Sequence, residues 1–115
     1  MITIYHNPRC SKSRQTLQLI QDKGIEPDII LYMENGLSEG AIKDLLAKLG
    51  FEDPRALMRR GEVVYKTLNL KNENAPAKLI AAMAQNPRLI ERPIVVKEDN
   101  AILGRPPENV LPLIS

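Results

Sequence analysis

One residue in this chain has the makings of a nucleophile: Cys10, the only cysteine, with the only histidine, His6, four positions before it. An unassisted thiol titrates near ~8.5 and is only ~3% thiolate at pH 7, and the thiolate is the reactive form. The stretch Tyr5-His6-Asn7-Pro8-Arg9-Cys10-Ser11-Lys12-Ser13-Arg14 offers several agents that would lower that value. A helical pattern begins just after Cys10, so the thiol stands at a helix N-terminus, and Arg9, Lys12 and Arg14 add cations within four positions. Backbone amides at the same turn, with the hydroxyls of Ser11 and Ser13, suit a tetrahedral oxyanion.

Composition excludes several other chemistries. A single cysteine rules out an internal disulfide, and one cysteine with one histidine cannot complete a structural zinc site, so no metal is expected. The net charge is only +2, the basic residues are dispersed, and Tyr5, Tyr32, Phe51 and Tyr65 do not interleave with a basic face, so nucleic acid is not an expected partner. With 43% hydrophobic and 26% charged residues the chain is ordinary for a globular protein, and 115 residues fit a single domain, 1–115. No run approaches the ~20 apolar residues of a membrane span, and Met1 leads directly into Ile2-Thr3-Ile4, so a cytoplasmic location is expected.

The elements that must position Cys10 follow from periodicity. Ile2-Thr3-Ile4-Tyr5 reads as a short strand, Pro8 interrupts the loop, and a helix spans roughly Ser11 to Lys23 before Gly24. Pro27-Asp28 precedes the apolar run Ile29-Ile30-Leu31-Tyr32, of the kind found in a buried parallel strand. Ser38 caps a helix with its apolar stripe at Ala41, Ile42, Leu45, Leu46 and Leu49, closed by Gly50. Asp53-Pro54 opens a short helix running through Arg59-Arg60 to Gly61. Successive helical residues are about 100° apart, so only one of those arginines can face a given pocket. A polar stretch with one helical turn at most leads to a helix capped by Asn74 and ended by Asn86-Pro87. Ile94-Val95-Val96 and Ala101-Ile102-Leu103 form an antiparallel hairpin, and Pro107 suits the first turn of a short helix between Pro106 and Leu111. The order is β-α-β, a helical section, then β-β-α: an α/β fold with a mixed sheet of about four strands.

That order, with a cysteine at the first strand-to-helix junction, resembles the thioredoxin and glutaredoxin fold. Four motifs narrow the resemblance: Ile-Tyr-His-Asn-Pro-x-Cys at 4–10, Arg-Ala-Leu-Met-Arg at 55–59, Arg-Pro-Ile-Val-Val at 92–96 and Gly-Arg-Pro at 104–106. Together they are similar to the glutathione- and glutaredoxin-dependent arsenate reductase family, from Ile2 to Leu113. The resemblance implies a cysteine that attacks arsenate, here Cys10, and three oxyanion-binding arginines, here Arg59, Arg92 and Arg105. It implies that His6 helps to keep the thiol ionised and that Pro93 is the cis-proline of the fold. Ser11, Lys12, Ser13, Arg14 and Arg60 remain secondary candidates.

The implied reaction is reduction of arsenate to arsenite through a thiol-arsenate adduct on Cys10. With no second cysteine to resolve it, glutathione as co-substrate and glutaredoxin as partner would supply the reducing thiols to a monomeric protein that binds no cofactor. Thr16, six residues after Cys10, argues against a Cys-x5-Arg phosphatase-type loop, and serine at position 13 argues against a redox-sensing regulator of this fold with its usual Cys-x-x-Cys. The alternative is a glutathione-binding thiol-transfer protein of the same fold without significant arsenate activity.

Overall fold

The alternating run at the start of the chain forms strand β1 (Ile2–Tyr5), with Ile2 and Ile4 turned inward. The structure is a computed structural model that describes residues 1–114. The chain forms two units, Met1–Glu34 with Arg92–Ser115, and Asn35–Glu91.

In the first unit β1 is followed by helix α1 (Ser11–Asp22), whose Ser13, Thr16 and Ile20 are buried at helical spacing. Gly24, at φ 78°, supplies the left-handed residue after the helix end. Strand β2 (Asp28–Ile30) pairs parallel with β1, Ile4 opposite Ile29. It is not the buried strand that its apolar run suggests. The sheet order is β2-β1-β3-β4, so β2 lies at an edge and Ile29 stays 46% exposed. Tyr32, read as the strand's last residue, instead begins the short helix α2 (Tyr32–Asn35) and is fully buried there.

Strands β3 (Ile94–Lys97) and β4 (Asn100–Leu103) form the expected antiparallel hairpin, with β3 also antiparallel to β1. The turn is Glu98-Asp99, with Glu98 at φ 56°. Ile2, Ile4, Ile20, Val95, Val110 and Ile114 make one buried cluster, each worth roughly 1.5–3 kcal/mol when fully covered. The tail contributes the last two through a 3-10 turn, Pro107–Val110, that continues beyond the expected helix to Ile114.

The second unit is helical. Helix α3 (Glu39–Leu49) starts where Ser38 accepts the Ala41 N–H and ends at Gly50 in the left-handed conformation, burying Ile42, Leu45 and Leu46. Asp53 caps Pro54–Leu57, but this is a single 3-10 turn and does not run to Gly61. Met58 is extended and bridges to Ile90, with Arg59 N–H donating to Leu89 O at 2.7 Å and Glu91 N–H to Leu57 O at 2.8 Å. These contacts across some thirty residues outweigh the local helical preference. Helix α4 (Val63–Thr67) and a 3-10 turn, Leu70–Asn72, occupy the stretch read as mostly loop.

Helix α5 (Pro76–Gln85) packs on α3 and is not capped by Asn74. Pro76 takes the first helical position, where its missing N–H costs nothing, and that puts Ala75 at the cap.

Arg55, the first arginine of the Arg-Ala-Leu-Met-Arg motif, is structural. Its Nη2 donates to Leu70 O (2.9 Å), Lys71 O (3.3 Å) and Glu73 O. Arg55→Ala would leave these carbonyls without their charged donor and is expected to destabilise the protein by about 2–3 kcal/mol in urea unfolding. Arg55→Lys should recover only part of this, since one ammonium replaces a planar fork.

Candidate active site

Cys10 occupies the N-cap of α1 in an extended conformation (φ −96°, ψ 123°), where the loop after β1 turns into the helix. The loop is bound to the helix that follows it. The Cys10 N–H donates to Asn7 O at 3.0 Å, Arg9 N–H to Asn7 Oδ1 at 3.0 Å, and Arg14 Nη1 to Pro8 O at 2.8 Å. Ser13, fully buried, accepts the Asn7 N–H at 3.0 Å and meets His6 Nδ1 at 2.6 Å through its hydroxyl. Asn7 therefore organises the turn with both its carbonyls. The Asn-Pro pair marks a turn in the sequence, but only the folded loop shows which groups Asn7 holds.

The sulfur lies among positive charge and positive dipole. Partial burial pushes the thiol pKa up, but the Ser13 N–H, the Arg92 side chain, the Lys12 N–H and the Arg92 charge outweigh it and hold the thiol below its ordinary value. Cys10 closes no formal side-chain cap, yet the Ser13 and Lys12 amides at the start of α1 still favour the charged sulfur. Arg105 Nη1 lies 3.9 Å from Sγ and also donates to Arg92 O at 3.2 Å. The structure thus brings Cys10, Arg92 and Arg105 together, from the start of α1, the segment before β3 and the segment after β4.

Backbone packing sets both arginines in place. The Arg92–Pro93 and Arg105–Pro106 peptides are both cis. Gly104 N–H donates to Pro93 O at 2.9 Å, linking the segments that carry the two arginines. Thr16, fully buried, donates from Oγ1 to Lys12 O at 2.8 Å and approaches Gly104 O at 3.4 Å. Asn109 Nδ2 holds Arg105 O at 3.1 Å. Thr16, Gly104 and Asn109 carry no chemistry of their own, which is why the sequence did not single them out as positioning residues.

The other candidates fall into different settings. His6 is buried, and burial with the nearby charge of Arg14 lowers its imidazole pKa, so it is neutral at neutral pH and contacts Ser13. Ser11, Lys12 and Arg14 are exposed on the first turn of α1. Arg59 belongs to the second unit, where its Nε is 3.4 Å from Glu62 and its Nη1 3.7 Å from Glu91. Arg60 is exposed, and because Met58 is extended the helical phase expected to separate the two arginines does not operate. Among the described residues no cluster of histidine, cysteine or carboxylate side chains could hold a metal ion, and no helix is long and apolar enough to cross a membrane.

A mixed β2-β1-β3-β4 sheet with a low-pKa cysteine at the first strand-to-helix junction and a cis-proline before β3 defines a thioredoxin-like thiol protein. Within that class the chain belongs to the ArsC family, whose model matches residues 5–113. It is similar to the protein YfgD of Escherichia coli K12, 49% identical over 114 residues covering 98% of this chain and 96% of that one. It is also similar to the arsenate reductase of Haemophilus influenzae, 46% identical over 98% of each chain. Among solved structures, the arsenate reductase of Vibrio cholerae superimposes with a TM-score of 0.94 at 50% identity, covering 96% of this chain and 95% of that one.

Proposed function

We propose that this protein is an arsenate reductase in which Cys10 is the nucleophile and Arg92 and Arg105 bind the oxyanion. The observation that carries the reading is the Cys10 sulfur, with its pKa held down by Arg92 and the start of α1 and with Arg105 Nη1 at 3.9 Å. The names carried by the Haemophilus and Vibrio relatives support arsenate as the substrate.

A thiolate approaching arsenate meets an anion, and the two guanidinium groups offset that repulsion while orienting the oxygens through paired donors. Cys10 Sγ forms a bond to arsenic, one As–O bond breaks, and the oxygen leaves as water once protonated. Arsenic remains pentavalent at this point. Two external thiols then deliver two electrons, so that in balance one arsenate and two thiols become one arsenite, one disulfide and one water, and Cys10 is returned. In this reading the thiols are glutathione and then glutaredoxin, because the chain has no second cysteine. Those reductants fit a monomer working in the reducing cytoplasm. His6 acts through Ser13, whose amide faces the sulfur, and not as a cation.

The test is NADPH oxidation coupled through glutathione reductase, with glutathione and glutaredoxin present. A rate should appear only with arsenate and should collapse when either thiol is omitted. Formation of a Cys10–glutathione disulfide with an arsenate-dependent rate no greater than the blank would remove the proposal in favour of thiol transfer.

A further inference from the structure

The second unit contains a cavity of about 440 Å³ lined by Arg60, Tyr65, Lys66, Asn69 and Lys71. Its walls come from the turn before α4, α4 itself and the 3-10 turn that follows. The walls are well fixed: Arg55 clamps the carbonyls of Leu70 and Lys71, and Asn69, in the left-handed conformation at φ 53°, is tied to Asn72 through its side chain at 2.8 Å. Tyr65 is buried, and the lining is largely apolar although three of its five residues are basic.

Basic residues are concentrated at this cavity. In the same unit Lys48, Arg55, Arg59 and Lys78 each pair with a carboxylate. Among the described residues no ion pair includes Arg60, Lys66 or Lys71, and no carboxylate lines the cavity. The neighbouring Glu62 is engaged by Arg59 at 3.4 Å. Three basic residues thus line a pocket that also includes Tyr65, within the roughly 300–1,000 Å³ of small-molecule sites.

We propose that this cavity binds an organic anion, with a phosphate or carboxylate held by Arg60, Lys66 and Lys71 and a flat apolar body against Tyr65. Arg60 offers a planar fork to two oxygens, while the lysines act as point charges. An inorganic anion would leave the apolar wall unused, and a neutral aromatic would leave the cations uncompensated. The site is independent of the reaction proposed for Cys10, so its test uses no arsenate.

The test is an amide proton–nitrogen NMR titration of the full chain with 1-naphthyl phosphate, alongside inorganic phosphate and 1-naphthol. Saturable shifts are expected at amides between 60 and 71, with weaker binding of both fragments. The Lys66→Gln/Lys71→Gln variant, altered only at exposed side chains, should raise the dissociation constant about tenfold or more. Absence of saturation, shifts centred on residues 6–14, or an unchanged constant in the double variant would overturn the proposal.

Discussion

Cys10→Ser should lower arsenate-dependent NADPH oxidation at least about a thousandfold, the scale of loss when a covalent nucleophile is removed. A serine hydroxyl does not ionise near neutral pH, so the charges of Arg92 and the α1 N-terminus that lower the thiol pKa cannot make it comparably reactive. The same substitution should not harm the fold. Cys10 sits at an N-cap without a formal side-chain cap, and serine is among the preferred residues there. Unfolding in urea at a pH below the folded thiol pKa, where Cys10 is neutral and its ionisation adds nothing to stability, is therefore expected to show stability unchanged or raised by up to about 1 kcal/mol. Loss of activity with stability retained would assign the defect to chemistry. A variant that keeps a tenth of the rate would mean that another group attacks arsenate.

Gly104→Ala should meet the tightest surroundings of the six glycine-to-alanine changes. A Cβ at this position would lie 2.6 Å from Thr16 Oγ1, 2.8 Å from Pro93 Cγ and 3.0 Å from Thr16 Cγ2. Thr16 is fully buried and Pro93 is held by its own carbonyl bond to Gly104, so neither neighbour can yield cheaply. Overpacking of this kind costs about 1–3 kcal/mol, and the upper end is expected here. The strain would fall on the segments that carry Arg92 and Arg105, so activity should drop along with stability. Thr16→Ala removes two of the three contacts and should make Gly104→Ala less costly, a non-additive cycle of about 1 kcal/mol. Strict additivity would show that Thr16 is not what excludes a side chain at position 104.

The parts of the fold that the sequence made legible are those governed by neighbours along the chain. Ser38 and Gly50 bounded α3 because capping and the left-handed stop are local, and the Ile94–Val96 and Ala101–Leu103 runs paired across a two-residue turn. Cys10 stood out because a lone thiol lay between a strand pattern and a helix pattern. Distant partners decided the rest. Met58 leaves the helical path because it pairs with Ile90, which moves Arg59 and Arg60 out of the phase relation assumed for them. Ile29 and Ile30 looked buried, but only the sheet order shows that β2 is an edge. The contact of Gly104 with Thr16 spans 88 positions, and no local pattern announces it. The surroundings of Cys10 divide in the same way: the helix N-terminus was visible locally, whereas the carbonyl bond from Gly104 to Pro93 that links the two arginine segments was not.

The proposed chemistry turns on Cys10 being a thiolate where arsenate binds. Because its folded pKa lies below its ordinary value, ionised Cys10 stabilises the fold. That contribution is fully present above the unfolded value and is lost as pH falls through the folded one. Reactivity should follow ionisation of the folded thiol alone, with its midpoint at the folded pKa. The most direct measurement is the rate of Cys10 alkylation by iodoacetamide across pH, with and without arsenate. The prediction is a midpoint clearly below the ordinary ~8.5 of a free thiol, and protection that rises to saturation with arsenate. A midpoint at or above ~8.5, with alkylation indifferent to arsenate, would contradict it.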